Sequence, residues 1–414
     1  MQKTEVCILG GGVMGLCAAY FLNAAGFEVT VIEPSDMTTG CSYVNAGYIT
    51  PSHIIPLSSP GMPTKGLKYM WNKTSPFYLK PRLELDLFSW CLQFARNATR
   101  KHVDRCAPVL MDFNLKSKEL YKWFSDHEGL NFGYLESGLL LLSQTDKQLE
   151  ADRTTGEFAQ KLGLEVQFLK GDQIRQYEPD VTPDVIGGVL YVDDAILVPQ
   201  AFMEQLAQLL TDNGVRILKK TIVERIKPDE NSQFILTSSG EKFTFDQLLV
   251  TAGSWSANIL KSLGCRLLLQ PGKGYSFEID NPGIRYPAIL SERKVAVTPM
   301  GSKVRFGGTM ELAGLNTCIN RKRVDAIKSA AERYYPGIRI QEGAFQTTMQ
   351  GMRPVSPDGM PYIGRLKKFR NVYLATGHAM MGMSLGPATG LLVSELMQDK
   401  PTFIDTTLFD PNRF

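Results

Sequence analysis

Hydrophobic positions at the start of the chain change rhythm twice within a short stretch. Glu5-Val6-Cys7-Ile8-Leu9 carries no charge after Glu5 and is rich in β-formers, the pattern of a strand buried on both faces. Leu16-Cys17-Ala18-Ala19-Tyr20-Phe21-Leu22 then reads as a helix that stops near Ala25-Gly26, where glycine suits a helix end. Glu28-Val29-Thr30-Val31-Ile32-Glu33 is a second β-branched strand, closed by an acid. The uncharged run from Val6 to Phe27 follows Lys3, so its length also permits a membrane span or a signal sequence. Gly10-Gly11-Gly12 argues against both, because a glycine inside a helix costs about 1 kcal/mol relative to alanine. Strand, glycine turn, helix and strand account for the same residues better.

Farther along, residues 40–82 are rich in Gly, Pro, Ser and Asn and predict an extended loop wrapped around something. Residues 84–125 read as helical, with Leu85, Phe88, Leu92 and Ala95 spaced for one apolar face. Leu139 to Leu142 predicts a buried strand. A helix over 199–213 begins at Pro199, a favourable first-turn position, and Val215 to Leu218 predicts a strand. Phe245 to Val250 and Asn371 to Leu374 are further strands in the style of the first two. Residues 266–350 alternate as β-strands do, as in Tyr275 to Ile279 and Val304 to Gly308.

These elements predict an α/β chain, α+β overall, in which a Rossmann-like nucleotide domain is assembled from residues 1–80, 191–265 and 350–414. A mostly antiparallel sheet domain for substrate, residues 81–190 and 266–349, is inserted between the pieces. A length of 414 residues exceeds what one hydrophobic core usually organises, which fits two joined domains.

Composition removes several classes of function. A net charge of +3, with no block of like charges, gives no footing for nucleic acid. The seven cysteines are odd in number and scattered without a CxxC pair. The four histidines, at 53, 102, 127 and 378, lack metal-type spacing. No metal site or disulfide framework is expected, and the thiols suit a reducing cytoplasm.

Candidate chemistry begins at Gly10-Gly11-Gly12-Val13-Met14-Gly15, a G-x-G-x-x-G between strand and helix. Gly10 permits the tight turn, Gly12 lets a pyrophosphate approach the backbone, and Gly15 lets helix and strand pack closely. The helix N-terminus, with Val13 and Met14 in its first turn, offers free N–H groups and a positive dipole end to phosphate. Glu33, 18 residues after Gly15, is placed to accept hydrogen bonds from a ribose diol and would repel a 2′-phosphate. In this frame the motif implies a dinucleotide, with a glycine-rich turn that holds no ligand as the plainer alternative, and it does not separate FAD from NAD.

The remaining motifs make that separation by resemblance. They are Thr39-Gly40-Cys41-Ser42-Tyr43-Val44-Asn45-Ala46-Gly47, Ala252-Gly253-Ser254-Trp255 and Pro271-Gly272-Lys273-Gly274-Tyr275-Ser276. Gly351-Met352-Arg353-Pro354 follows with Pro357-Asp358-Gly359, then Ala375-Thr376-Gly377-His378 through Gly382 to Gly386-Pro387-Ala388-Thr389-Gly390. In this order, nearly end to end, the chain resembles the D-amino acid oxidase superfamily of FAD enzymes. The loop Ser59-Pro60-Gly61-Met62-Pro63 resembles the bacterial D-amino acid dehydrogenase branch.

The resemblance implies non-covalent FAD and an amino acid substrate. It assigns Ser42, Asn45, Ala46, Gly47, Ala252, Gly253 and Trp255 to the cofactor, and Val223 to a backbone contact with adenine. Gly377, His378, Met381, Gly382, Met383 and Ser384 form a glycine-bounded turn into a helix whose N–H donors would stabilise negative charge on a reduced flavin. Arg353 would pair at two points with the substrate carboxylate, a geometry that guanidinium suits and lysine does not. An arginine bonded to loop carbonyls is the plainer reading of the same residue. Tyr275 is a candidate second carboxylate contact, with an ordinary strand tyrosine as the alternative. Lys273 either sits near the flavin or decorates a strand. His378 is not needed as a base, because the amine lone pair drives hydride from Cα to flavin N5. Met380 stands where some relatives carry a second arginine, and implies an apolar wall.

The implied reaction is oxidative deamination of a D-amino acid to an imine, then a 2-oxo acid and ammonia, with electrons passed to a quinone or other carrier. Open alternatives are an oxidase, a dehydrogenase of a secondary amine such as proline, hydroxyproline or sarcosine, and a flavin-binding subunit without turnover. The expected location is the cytoplasm, with docking to the inner membrane face if a quinone is the acceptor.

Overall fold

The computed structural model describes residues 4–69, 75–228, 233–237 and 240–414. The buried apolar strand Glu5–Leu9 ends on Gly10, whose φ of 115° turns the chain sharply. Gly12 then caps the helix Val13–Ala24, which is buried on most sides between the sheet and the helix Gly382–Met397. Those two helices approach closely because Gly386 and Gly390 carry no side chain. A Cβ at either would lie 2.6 Å from Val13 Cγ2 or 2.5 Å from the Cys17 carbonyl carbon.

The strand Glu5–Leu9 sits inside a six-stranded sheet. Its neighbours are Gln247–Val250 and then Val372–Thr376 on one side, Glu28–Ile32 and then Arg216–Leu218 on the other. These five strands are parallel, and Tyr362–Arg365 adds an antiparallel edge. The chain leaves the central strand toward one side and returns on the other, so the glycine turn lies at the switch point where such sheets bind ligands.

A nine-stranded second sheet runs from Met349–Val355 through Gln270–Asp280, Lys303–Leu312, Val295–Met300, Ala288–Leu290, Leu139–Ser143 and Gly187–Tyr191 to Val166–Lys170. Phe77–Leu79 pairs parallel with the end of Lys303–Leu312, and Ala288–Leu290 pairs parallel with Leu139–Ser143; the other pairings are antiparallel. One face packs against the helix Arg321–Tyr334 through Phe277, Phe306, Val324 and Ile327. The other face looks toward the nucleotide domain.

The structure departs from the sequence expectations in three segments. The 40–82 segment is not one extended loop, because it contains the helix Met62–Tyr69 and the strands Tyr48–Ile49 and Phe77–Leu79. The 266–350 segment contains the helix Arg321–Tyr334 among its strands. The helical stretch divides into Leu85–Asn97 and Arg100–Asp126, and the first of these buries Leu87, Trp90 and Phe94 while Leu85, Phe88 and Leu92 face solvent. Phe77–Leu79 and Met349–Val355 pair into the second sheet, whereas Arg100–Asp126 packs through Tyr121 and Phe124 onto the core of the nucleotide domain.

Candidate active site

At the end of the central strand, the absence of side chains is a geometric requirement. A Cβ on Gly15 would lie 1.9 Å from the Gly10 carbonyl oxygen, and one on Gly10 would lie 2.7 Å from that of Thr251. The Thr251-Ala252-Gly253 turn therefore seats directly on the glycine loop. Thr251 Oγ1 donates to the carbonyls of Leu9 and Gly10. Trp255 follows this turn and is half exposed.

Around the helix start, Ser42 Oγ accepts from Val13 N at 3.0 Å and leaves its own proton for an anion. Glu33 accepts from Gly11 N at 2.7 Å and Ser35 N at 2.9 Å, which fixes the carboxylate beside the loop with lone pairs to spare. Thr221 N donates to the Glu33 carbonyl, so the chain entering Val223–Pro228 runs alongside and brings Val223 near that acid.

The loop from Tyr43 to Ala46 is suspended from the second sheet by its carbonyls. Buried Arg305, ion-paired with Glu278, donates to Tyr43 O and Asn45 O. Ser276 Oγ donates to Val44 O at 3.2 Å, and Thr298 Oγ1 to Ala46 O at 2.7 Å. With four carbonyls turned to the sheet, the N–H groups of Asn45 and Ala46 meet no acceptor among the described residues. Glycine is required at position 47 by the backbone itself. Its φ is 76°, and a Cβ there would lie 2.2 Å from the Leu197 carbonyl oxygen.

The carboxy-terminal turn completes the arrangement. Gly377 has a φ of 85° and packs against Tyr362. Met381 precedes the helix Gly382–Met397, whose N-terminus has no side-chain cap and no acid in its first turn. Met14 and Gly382 approach each other there. The side chain of Ser384 is consumed within the protein, accepting from Thr50 N and donating to Asn114, and Met383 O accepts from Tyr121. These two residues would therefore offer a ligand only backbone N–H groups. Thr389 Oγ1 gives its proton to Leu385 O, so His378 Nε2 must be the donor in its 3.0 Å contact with Thr389. That leaves the buried Nδ1 of His378 as an acceptor without a partner among the described residues. Burial pushes this imidazole down to about 3, so it is neutral.

Between the turn and the second sheet lies a cavity of about 390 Å³. Its floor is a row across the sheet, Ser276, Gly307, Ala296 and Ile289, held in register from strand to strand. Cys41, Asn45, Ala46, Met380 and Met381 border it from the nucleotide side. Among the described residues no carboxylate lines it, whereas Arg353, Lys294 and His53 do. Burial, with the charge of Lys294, pushes His53 down to about 4.

Arg353 projects over Gly274, where a Cβ would lie 2.1 Å from its Nη1. Its one protein acceptor among the described residues is Thr309 O, at 2.8 Å, and no carboxylate pairs with it. Burial lowers the guanidinium below its ordinary value, although such a group stays protonated in water's neutral range.

Tyr275 borders the cavity, but its hydroxyl is engaged on the other side of its strand. Strand alternation turns Ser276 toward the loop, so the Tyr275 side chain joins Phe277 on the far face, where its hydroxyl donates to Glu311 at 2.8 Å. Lys273 Nζ is held by Asn316 and the Cys318 carbonyl and does not border the cavity. Arg305, Thr298, His53, Lys294 and Thr309 escaped the reading of the sequence. Their only local signal is a polar residue at an inward position of an otherwise apolar strand or loop.

The glycine cradle, the anchored acid, the orphaned histidine nitrogen and the open helix end fit a bound flavin dinucleotide. A family model described as FAD dependent oxidoreductase (DAO) matches residues 5–396. The chain is 29% identical over 411 residues to a D-amino acid dehydrogenase of Neisseria meningitidis serogroup C, covering 97% of each protein. It is 30% identical over 413 residues to a D-amino acid dehydrogenase of Granulibacter bethesdensis, again covering 97% of each. Among solved structures, glycine oxidase from Geobacillus kaustophilus superposes with a TM-score of 0.79 at 21% identity over 100% of both chains. L-proline dehydrogenase from P. horikoshii gives 0.75 at 19%, over 100% of this chain and 98% of the other. These two likenesses establish the fold.

Proposed function

The chain belongs to this family of FAD-dependent oxidoreductases, and we propose that it oxidises the Cα–N bond of D-amino acids. Its product is an imine that water hydrolyses to a 2-oxo acid and ammonia. The observation that carries this reading is Arg353, a cation at the cavity wall with no anionic partner. Removing a charge from water without pairing it is unfavourable, so the site is built to receive a carboxylate. The names of the curated relatives support D-amino acids as the substrate class.

Bound FAD supplies the acceptor for the hydride that leaves Cα. The protein's contribution is placement. Arg353 fixes one end of the substrate with the N–H groups that Thr309 does not use, and the Ser276-Gly307-Ala296 floor leaves space for the rest. His378, neutral and bonded to Thr389, is not poised to carry a proton from the substrate. Met380 and Met381 supply an apolar wall.

Amino acid dehydrogenation requires an electron acceptor. We assign a quinone or comparable carrier to that role, in the cytoplasm and peripheral to the inner membrane face. All seven cysteines are free, which suits a reducing compartment. No helix among the described residues is long and apolar enough to cross a membrane.

The test is anaerobic bleaching of the flavin spectrum by both enantiomers of several amino acids and by cyclic imino acids. Bleaching by D-amino acids supports the reading. Bleaching only by proline-type or N-methyl substrates would replace it, and no bleaching by any would leave a flavin-binding subunit. Reduction of a dye without oxygen uptake then separates dehydrogenase from oxidase.

A further inference from the structure

Charge around the active-site cavity is of one sign and comes from two places. Arg353 lies over Gly274 and donates to Thr309 O. Lys294 stands farther across the sheet. Val295 pairs with Gly308, so the antiparallel register sets Lys294 opposite Thr309, one strand spacing of about 5 Å away. Pairing of Leu290 with Val295 closes the turn that carries Lys294 and fixes its position. Lys294 borders the same cavity, and its side chain makes no hydrogen bond or ion pair with another described residue.

His53 stands with Lys294. It too borders the cavity, and its ring has no hydrogen-bond partner among the described residues. Burial, and then the Lys294 charge, keep the ring neutral, which leaves it one N–H to donate. Neighbouring acids are engaged elsewhere. Glu292, two residues before Lys294, accepts from Gln144, Thr145 and Tyr334. Asp194, bonded to Ser52 beside His53, does not border the cavity, and Glu278 pairs with Arg305.

A substrate held by its α-carboxylate at Arg353 has the Gly307-Ala296 floor open toward Lys294 and His53. A cationic side chain there would meet two like charges and no acid. A carboxylate would meet a cation and an imidazole donor, which suits it better than either meets water alone.

We propose that the site selects D-amino acids with an acidic side chain, glutamate and aspartate. Arg353 holds the α-carboxylate, and Lys294 with His53 holds the side-chain carboxylate. The inference rests on the proposed amino acid oxidation for its reaction and adds to it the identity of the side chain.

Two measurements test it. Calorimetric titration of the FAD-loaded protein compares glutarate with pentanoate, acids of equal length that differ in the second charge. Lys294 is exposed, so water limits the gain, and glutarate is expected to bind about five- to tenfold more tightly. Anaerobic reduction of the flavin should favour D-glutamate over D-glutamine by a similar factor in kcat/KM, and over D-lysine by more. Lys294→Gln should bring both the binding and the kinetic ratios toward unity, and added salt should shrink them. Equal binding of the two acids by the wild type would overturn the proposal, as would a preference that Lys294→Gln leaves intact. Oxidation of D-alanine and D-glutamine at rates that D-glutamate does not exceed would leave the activity standing and overturn the acidic side chain. A Lys294-dependent preference for glutarate in a protein that oxidises no amino acid would support the two-ended anion site and overturn the activity proposed above.

Discussion

Arg353 Nη1 donates to the carbonyl of Thr309 at 2.8 Å, and Thr309 presents that carbonyl from a left-handed backbone with a φ of 69°. A β-branched residue rarely adopts this conformation, and such strain costs about 1–3 kcal/mol. It persists because its neighbours are fixed, Gly308 by pairing with Tyr275 and Val295, and Met310 by pairing with Phe77. The result is a guanidinium steadied by one neutral oxygen and left without an anion.

Arg353→Leu should therefore damage catalysis without emptying the cofactor site. Truncating one member of a buried charged pair costs about 2–5 kcal/mol, a fall in kcat/KM of about 30- to 5000-fold for a carboxylate substrate. Stopped-flow reduction of the flavin under anaerobic conditions measures it. Wild-type rates in the variant would remove Arg353 from substrate recognition.

Gly274→Ala should act on the same guanidinium from beneath. The added Cβ would sit 2.1 Å from Nη1, so the arginine must move, and a shift of about 1 Å at a reacting site costs on the order of 100-fold in rate. Gly351→Ala, in register with Gly274, would press instead on Val44 and Cys41, at 2.9 and 3.1 Å. The first variant should keep its flavin and lose substrate turnover, and the second should lose flavin. Absorbance ratios of the purified proteins separate the two outcomes.

The nucleotide half of this site was legible because its determinants are local. Gly10, Gly12, Gly15 and Glu33 stand at fixed offsets on a strand, a turn and a helix whose periodicities differ. The substrate half depends on register between distant strands. Ser276, Arg305 and Thr298 become anchors of the Tyr43–Ala46 loop only when their strands pair, and where the Tyr275 hydroxyl goes depends on the same register. The Leu85–Asn97 helix carries two apolar stripes, Leu85/Phe88/Leu92 and Leu87/Trp90/Phe94, and spacing alone does not say which is buried. The helix Arg321–Tyr334 was readable from Val324, Ile327, Ala331 and Tyr334, but the surrounding strands hid its period.

Glu33→Arg should weaken FAD retention while sparing the substrate pocket. The change removes the acceptor of the Gly11 and Ser35 N–H groups and places a cation where the ribose diol is expected. Hydrogen bonds to a charged group contribute about 1.5–3 kcal/mol each, so flavin occupancy after purification should fall by about tenfold or more. In the fraction that reconstitutes with added FAD, KM for substrate should match wild type. Unchanged occupancy would count against Glu33.

Asp194 should make the acid sensitivity of the fold shallower than its histidines alone would. Half-buried His53, at the cavity wall, and buried His378 are neutral, with folded values of about 4 and about 3. The unfolded chain binds their protons more readily, so their contribution is complete above about pH 6.5. Below that it is lost at about 1.4 kcal/mol per pH unit for each. Asp194, fully buried and accepting from Ser52 N and Oγ, is pushed up to about 7 by burial, against the pull of those hydrogen bonds. Here the folded protein holds the proton more tightly, so its contribution is complete below about pH 4 and is lost as pH rises to about 7. The two trends oppose each other between those limits. Asp194→Asn keeps the acceptor for Ser52 N and removes the ionisable proton. It should be more stable than wild type at about pH 8, by on the order of 3–4 kcal/mol, converge with it near pH 4, and lose stability about twice as steeply in between. Denaturant midpoints at about pH 8, 6 and 4 provide the check, and parallel profiles would show that Asp194 titrates like an exposed carboxylate.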